Sequence, residues 1–294
     1  MENMSKEIIR GVLIQQKGKA FLLGLDGEHH LKTDYIWPGY VLHWLGKPVC
    51  ARYLPQRDYE RGEPIVLIWP DVQAGDTDYV DLYYNERLMH YPVSVFGHNA
   101  INVNGEVFNF SHLLIENEAT NMEDYLYRPP LGEFAPHPKQ GIRNVEDMER
   151  PYYDMFGRLF MRTIHVLRIQ GLNTEQVSSI YHKELNKILN TPRNPKCPEK
   201  YRDFNIFTRS CTTVIRDGLR KCGFRKISGI MPRDLFVNAA YHFLNAEKEG
   251  ALRLKRFTMK QLKVAEAPHS RMTPLFNPTN RIRRLVTRSH FDRG

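Results

Sequence analysis

The chain has 294 residues, of which 41% are hydrophobic and 11% aromatic, and its formal net charge is +9. This composition is typical of a globular protein with one large or two ordinary domains. No apolar run approaches the roughly 18 residues that span a bilayer, and the N-terminus lacks a secretory signal pattern, so we expect synthesis as a soluble cytoplasmic chain. The four cysteines form no CxxC pair, which predicts free thiols and neither a metal nor another cofactor.

The N-terminal residues 1–72 are predicted to form a small accessory domain. Five short apolar runs are separated by Lys-Gly, Asp-Gly, Pro-Gly and Gly-Lys turn signals, a pattern typical of strands. The predicted strands are residues 8–14, 20–25, 30–36, 48–54 and 64–69. Five strands of this length favour a β-barrel of the OB or SH3 kind. The acidic segment 71–78 is predicted to be the linker that follows.

A β-hairpin is predicted over residues 98–111, because Asn104-Gly105 between two apolar runs is the strongest short signal for a type I′ turn. If Val103 faces Glu106, the alternation of side chains along each strand defines two faces. One face carries Ile101, Val103, Phe108 and Phe110, and the other carries His98, Ala100, Asn109 and Ser111. The second face places an imidazole beside an amide, which is how an oriented base is built.

Helices are predicted further along the chain. Residues 151–170 and 174–189 have helical periodicity and would form a helical hairpin, with His165 and His182 in structural roles. Residues 230–244 form a further amphipathic helix. No regular structure is predicted from residue 255 onward.

A helix is predicted whose first turn contains Cys211, capped by Thr208 or Ser210 and ending at Gly223. A cysteine at a helix N-terminus feels the positive end of the helix dipole, which favours the thiolate. Cys211 is therefore a candidate nucleophile, although a small buried core residue is the alternative interpretation. Its backbone N–H, at the helix start, is the natural oxyanion donor.

These segments resemble the circularly permuted papain-like hydrolases of the NlpC superfamily. The shared features are a Gly-His-x-Ala-Ile strand, a second strand with a polar third residue, and a later Ser-Cys at a helix start. The resemblance implies an α+β fold with a permuted catalytic domain at residues 79–250, containing inserted helices and followed by a basic extension at 251–294. It implies Cys211 as nucleophile, His98 as general base and Asn109 as the residue that orients His98. Ser111 is the alternative orienting residue.

The resemblance implies two substrate classes. One is amide hydrolysis in the stem peptides of bacterial peptidoglycan, and the other is lipid ester cleavage or acyl transfer, as in the lecithin:retinol acyltransferase branch. The amidase is favoured because an anionic peptide suits a basic chain without a membrane anchor. Since no signal peptide is visible, one hypothesis is an antibacterial effector that a contractile type VI secretion apparatus delivers to a target-cell periplasm. An immunity protein would then be a further partner, and an intracellular enzyme is the alternative.

A non-enzymatic nucleic-acid binder is the rival hypothesis. Residues 251–294 contain eleven Lys and Arg against two Asp and Glu, so the whole excess of positive charge lies there. A basic end of this kind is suited to nucleic acid, anionic lipid, cell-wall polymer or an acidic partner, or it forms a solvated tail. Together with an OB-like barrel, it would bind nucleic acid through phosphates.

Overall fold

The computed structural model describes residues 7–17, 19–33, 38–57, 64–72, 75, 77–88, 95–112, 114–128, 162–259 and 270–291. Within these residues the protein has the expected mixed α+β fold, with two main antiparallel sheets. The described residues divide into two compact units. Residues 7–75 and 123–128 belong to the first, and residues 77–122, 162–259 and 270–291 belong to the second.

The first unit contains a five-stranded antiparallel sheet in the order β3-β2-β1-β4-β5. Its elements are β1 (Ile9–Gln16), β2 (Lys19–Gly24), β3 (His29–Thr33), α1 (Pro38–Trp44), β4 (Pro48–Arg57) and β5 (Pro64–Pro70), with most of α2 (Met122–Tyr127). All five predicted strands are present. Helix α1 was not predicted.

The sheet of the first unit is open, so the predicted OB- or SH3-like barrel is wrong. Closure would require the two edge strands to pair, whereas each has one neighbour in the sheet. Helix α1 instead covers one face of the sheet, where its buried Tyr40 and Trp44 join Leu13, Leu22 and Val49 in one core. A helix that covers the apolar face removes the need for the sheet to close on itself.

The second unit contains a six-stranded antiparallel sheet in the order β10-β9-β8-β6-β11-β14. Its strands are β6 (Tyr79–Asn85), β7 (Arg87–Leu88), β8 (His98–Val103), β9 (Glu106–Asn109), β10 (Glu118–Asn121), β11 (Ile164–Gln170), β12 (Arg193–Asn194), β13 (Cys197–Tyr201), β14 (Arg253–Met259) and β15 (Ser270–Arg271). Its helices are α3 (Thr174–Leu189), α4 (Cys211–Lys221), α5 (Pro232–Lys248) and α6 (Pro278–Phe291). A 3-10 turn spans Leu114–Glu116.

One face of this sheet forms the main core with helices α3, α4 and α5. Buried apolar side chains alternate along the strands, among them Leu82, Ile101 and Leu167, and they belong to one cluster with apolar residues of the three helices. Helices α3 and α4 approach closely at Gly218. A Cβ atom there would lie 2.4 Å from the Tyr181 ring, so only glycine fits. This packing holds α4 against the sheet.

The predicted helix over residues 151–170 is wrong where the structure describes it. Residues 164–170 are strand β11, which pairs with β6 on one side and β14 on the other, and residues 151–161 lie outside the described residues. Four consecutive residues, 164–167, are buried in β11, because a central strand packs on both faces. A continuous apolar run of this kind does not distinguish a buried strand from a buried helix. The predicted helical hairpin is therefore reduced to α3, which begins after the Asn173 cap.

The basic C-terminal region is folded where it is described, contrary to the prediction. Strand β14 pairs with β11 over its whole length, and α6 packs against α5. Leu252 and Leu254 point into the core while Arg253 and Lys255 are exposed, which is the alternation of an edge strand with one covered face. The short length of this alternating segment between polar residues explains why it was missed.

Candidate active site

The hairpin that carries His98 has the predicted geometry. Asn104 and Gly105 have φ values of 50° and 94°, as a type I′ turn requires. Val103 pairs with Glu106 and Ala100 pairs with Asn109, so the predicted register is confirmed. His98 begins β8 and Asn109 ends β9. The tight turn thus brings two polar side chains, eleven residues apart, to the same end of the sheet.

The His98 imidazole is held by the Asn109 side chain. Its Nε2 lies 2.6 Å from Asn109 Oδ1, while Asn109 Nδ2 donates to the backbone carbonyl of Glu116 at 2.7 Å. A carbonyl oxygen only accepts, so it fixes which end of the Asn109 amide faces the imidazole. Nε2 must then carry the proton that it donates to Oδ1. In the neutral imidazole this leaves Nδ1 with a free lone pair, as a general base needs.

Ser111, the alternative orienting residue, makes hydrogen bonds through its hydroxyl and its backbone. Its hydroxyl donates to the carboxylate of Glu116, and its backbone N–H donates to Asn117 Oδ1 at 2.9 Å. Asn117 in turn donates back to the Ser111 carbonyl at 3.1 Å. These contacts tie the chain after β9 to the 3-10 turn. They hold the chain that follows Asn109, and Ser111 remains the alternative orienting residue.

Cys211 lies in the first turn of helix α4, as predicted, and is the first residue of that helix. Ser210 is the N-cap, with its side chain accepting from Thr213 N–H and its own N–H donating to the Thr213 hydroxyl at 2.8 Å. This reciprocal capping box fixes where the helix begins. The Cys211 N–H lies in the first turn, where a backbone N–H has no acceptor within the helix. It therefore has the position that the predicted oxyanion donor requires.

The Cys211 thiol is electrostatically coupled to His98. Burial by itself would raise the pKa of the thiol, but the charge of His98 and a hydrogen bond between the two side chains lower it. The backbone of Asn99 and the Thr212 hydroxyl act in the same direction, and the resulting pKa is about 7. Because Nε2 of His98 is engaged by Asn109, Nδ1 is the ring nitrogen left available to the thiol. Cys211, His98 and Asn109 thus form one chain of contacts.

Two buried residues that sequence analysis missed connect the hairpin to the cysteine helix. The Thr212 hydroxyl donates to Asn99 Oδ1 at 3.2 Å, and Asn99 Nδ2 donates to the carbonyl of Tyr83 at 3.0 Å. Asn99 is adjacent to His98, and Thr212 is adjacent to Cys211. The bond therefore links the strand and the helix right beside the two catalytic candidates. The only sequence signal was a polar Asn on the apolar face of a strand.

The site opens into a cleft of about 110 Å³ whose walls are mostly apolar. His98 and Cys211 share this cleft with aromatic and aliphatic side chains. These are Phe96, Phe110, Phe204, Ile206, Ile230, Met231 and Pro232. Ile206 and Ile230 are 37% and 42% exposed, so apolar surface continues out to the rim. A group that binds here next to the thiol would be placed largely among apolar atoms.

Metal binding and membrane spanning were also assessed. Among the residues that the structure describes, no group of three or more His, Cys, Asp or Glu side chains is arranged to hold a metal ion. Within the same part of the chain, no helix combines the length and apolar character needed to cross a bilayer.

The sequence and the structure were compared with known proteins. No protein-family model matches the sequence, and the searches of curated proteins and of solved structures gave no significant match.

Proposed function

We propose that the protein is a cysteine hydrolase that cleaves acyl substrates through a thioester intermediate. The observation that supports this is the chain of contacts from Cys211 through His98 to Asn109, of which Cys211 and His98 line an open cleft. A thiol whose pKa is lowered to about 7 next to an oriented imidazole is the arrangement that activates a cysteine nucleophile.

The first half of the reaction follows from this geometry. His98 Nδ1 takes the thiol proton, and the Cys211 thiolate attacks the substrate carbonyl carbon, so a C–S bond forms and the carbonyl oxygen becomes negative. The Cys211 N–H at the start of α4 stabilises that oxyanion. The tetrahedral intermediate collapses, the imidazolium protonates the leaving amine or alcohol, and the thioester remains.

The second half regenerates the enzyme. His98 Nδ1 takes a proton from water, and the hydroxide attacks the thioester carbonyl. The C–S bond breaks, the acid is released and the imidazolium returns its proton to the thiolate. Throughout, Asn109 accepts from Nε2 and holds the ring in the tautomer that exposes Nδ1.

The apolar cleft favours a substrate with an apolar acyl group, such as a lipid ester. Peptidoglycan stem peptides carry charged groups, and the residues that line the cleft, as far as the structure describes them, include no Lys or Arg that would pair with a carboxylate. The peptidoglycan amide, which the sequence favoured, remains the alternative substrate. Delivery by a secretion apparatus and an immunity partner remain hypotheses that depend on that alternative.

The nucleic-acid hypothesis loses one of its two supports. It combined an OB-like barrel with a basic tail, and the sheet of the first unit is not a barrel. Many of the basic residues of the C-terminal region lie on β14 and α6, which are part of the folded second unit.

Digestion of purified substrates tests the proposal. The protein and its Cys211→Ala and His98→Ala variants are incubated separately with phospholipid vesicles and with purified peptidoglycan, and the products are identified by mass spectrometry. We expect released fatty acid or shortened stem peptide with the unaltered protein only. Adding hydroxylamine should divert the thioester to a hydroxamate, whose mass identifies the acyl group. If both variants turn over substrate as fast as the unaltered protein, the proposed triad is excluded.

A further inference from the structure

A second cavity of the second unit, of about 270 Å³, lies between helices α5 and α6 and the sheet. It shares no lining residue with the cleft at Cys211. Four arginines line it: Arg233 on α5, Arg256 on β14, and Arg284 and Arg288 on α6. Among the described residues that line this cavity there is no aspartate or glutamate. The proposed hydrolase uses none of these groups.

Arg233 is the most buried of the four, with 9% of its surface exposed. Its guanidinium donates to the neutral carbonyl of Thr273. Within the part of the chain that the structure describes, no carboxylate lies within ion-pair distance of Arg233 or Arg284. Burial lowers the pKa of Arg233, and the positive charge of Arg284 lowers it further. The guanidinium groups of Arg233 and Arg284 thus repel each other inside one cavity, and neither forms an ion pair with a carboxylate of the described residues.

Two carboxylates among the described residues that act on Arg233, those of Glu86 and Asp234, are engaged by other groups. Glu86 pairs with His165 at 2.7 Å, and the two Asp234 oxygens accept from the backbone N–H groups of Phe276 and Asn277 at 2.9 and 3.0 Å. The charges of Glu86 and Asp234 raise the pKa of Arg233, whereas its burial, the largest effect, lowers that pKa. Among the described residues that line the cavity, the charged side chains other than histidine are therefore the four arginines.

Aromatic packing holds one of the arginines, Arg256, in place. The Arg256 guanidinium lies 5.8 Å from the ring centroids of both Phe236 and Phe291. Arg284 and Arg288 are one helical turn apart, so they extend from the same side of α6. Like charges that are gathered on rigid elements repel each other, and a bound anion relieves that repulsion.

From this arrangement we infer a binding site for a compound with two or more phosphate groups. Guanidinium groups bind phosphate oxygens in pairs of parallel hydrogen bonds, and they do so better than ammonium groups. Two linked phosphates carry more negative charge than a single one, which suits a cavity that four arginines line. A free polyphosphorylated metabolite and a phosphorylated lipid headgroup both supply this chemistry.

Titration calorimetry with inorganic pyrophosphate, at constant ionic strength, tests the inference. We expect saturable binding that the Arg284→Gln, Arg288→Gln double variant weakens at least tenfold. Both arginines are exposed, so the variant should keep its fold, which circular dichroism and the melting temperature check. Arg281→Gln is the matched control, because Arg281 is exposed on the same helix but does not line the cavity. Sulfate should bind more weakly than pyrophosphate.

Equal weakening by the control variant, or equal binding of sulfate and pyrophosphate, would show only general attraction to positive charge and overturn the inference. A vesicle arm separates the two sources of phosphate. Phosphatidylcholine vesicles with and without phosphatidic acid are mixed with the protein and sedimented. Capture that needs phosphatidic acid and that the double variant loses would identify a lipid source. Capture that the double variant retains would count against the site. Cys211 reactivity should be the same in all these variants, so the result is independent of the proposed hydrolase.

Discussion

The two ends of helix α4 each carry a cysteine, and the two thiols differ in their chemistry. Cys211 begins the helix, lies next to His98 and has a pKa lowered to about 7. Cys222 caps the other end, and burial raises the pKa of its thiol. Both residues are half-buried and pack against the same core. Position on the helix and the neighbouring side chain, rather than residue type, therefore give the two thiols opposite pKa shifts.

The helix dipole alone does not account for this difference. A charge at a helix end is typically stabilised by about 0.3–1 kcal/mol, and a change of one in pKa corresponds to about 1.36 kcal/mol. The pKa of Cys211 falls from 9.0 to about 7 even though burial acts in the opposite direction. The His98 imidazole must supply most of the effect. The lowered pKa of Cys211 thus depends on a residue from a distant strand.

Removing each cysteine is the strongest test of the comparison. We expect Cys211→Ala to lower hydrolysis by at least about 10³-fold, because the nucleophile is lost. Cys222→Ala should change turnover by less than about twofold, since the residue lies at the opposite end of the helix. The measurement is the initial rate on the substrate that the digestion experiment identifies. Similar losses in the two variants would mean that Cys211 has only a packing role.

Removing His98 should make the two thiols more alike. We expect His98→Ala to lower turnover by about 10²–10⁴-fold and to raise the pKa of Cys211, because burial then acts with less opposition. Iodoacetamide alkylation, followed peptide by peptide with mass spectrometry, reports the thiolate fraction at each pH.

The sign of the pH dependence follows from the lowered pKa. In the unaltered protein, Cys211 alkylation should level off above about pH 7 and fall about tenfold for each pH unit below it. Cys222 should still gain reactivity beyond pH 9. In the His98→Ala variant the Cys211 profile should move toward that of Cys222. An unchanged Cys211 profile would remove His98 from the mechanism.

Asn109 should have a smaller effect, because it acts through the imidazole. We expect Asn109→Ala to lower turnover about 10–100-fold, and Asn109→Asp to retain more activity because an aspartate oxygen still accepts from Nε2. The pH profile of turnover for both variants separates a lost orienting contact from general unfolding. Full activity of Asn109→Ala would transfer the orienting role to Ser111.

The bond between Asn99 and Thr212 should have the smallest effect. Thr212→Val leaves the buried Asn99 oxygen without this donor, so we expect a loss of about 1–2 kcal/mol in the free energy of unfolding and a fewfold loss of turnover. Thr212→Ser keeps the hydroxyl and serves as the control. Urea denaturation measures the stability. If Thr212→Val and Thr212→Ser behave alike, the bond does not hold the two elements together.

Local sequence signals determined the elements that carry the candidate site. The Asn104-Gly105 turn sets the hairpin register through its backbone geometry, and Ser210 and Gly223 set the limits of α4. These features depend on residues that are close in sequence, so they could be predicted without knowledge of the fold. The five strands of the first unit were predictable for the same reason.

Tertiary packing decided the rest. Residues 164–170 form a strand because β6 and β14 lie on either side, and the sheet of the first unit stays open because α1 covers it. The meeting of Cys211 with His98, the bond from Thr212 to Asn99 and the grouping of four arginines all join residues that are distant in the chain. Sequence periodicity shows only which face of an element is apolar. It does not show which other element will pack against that face.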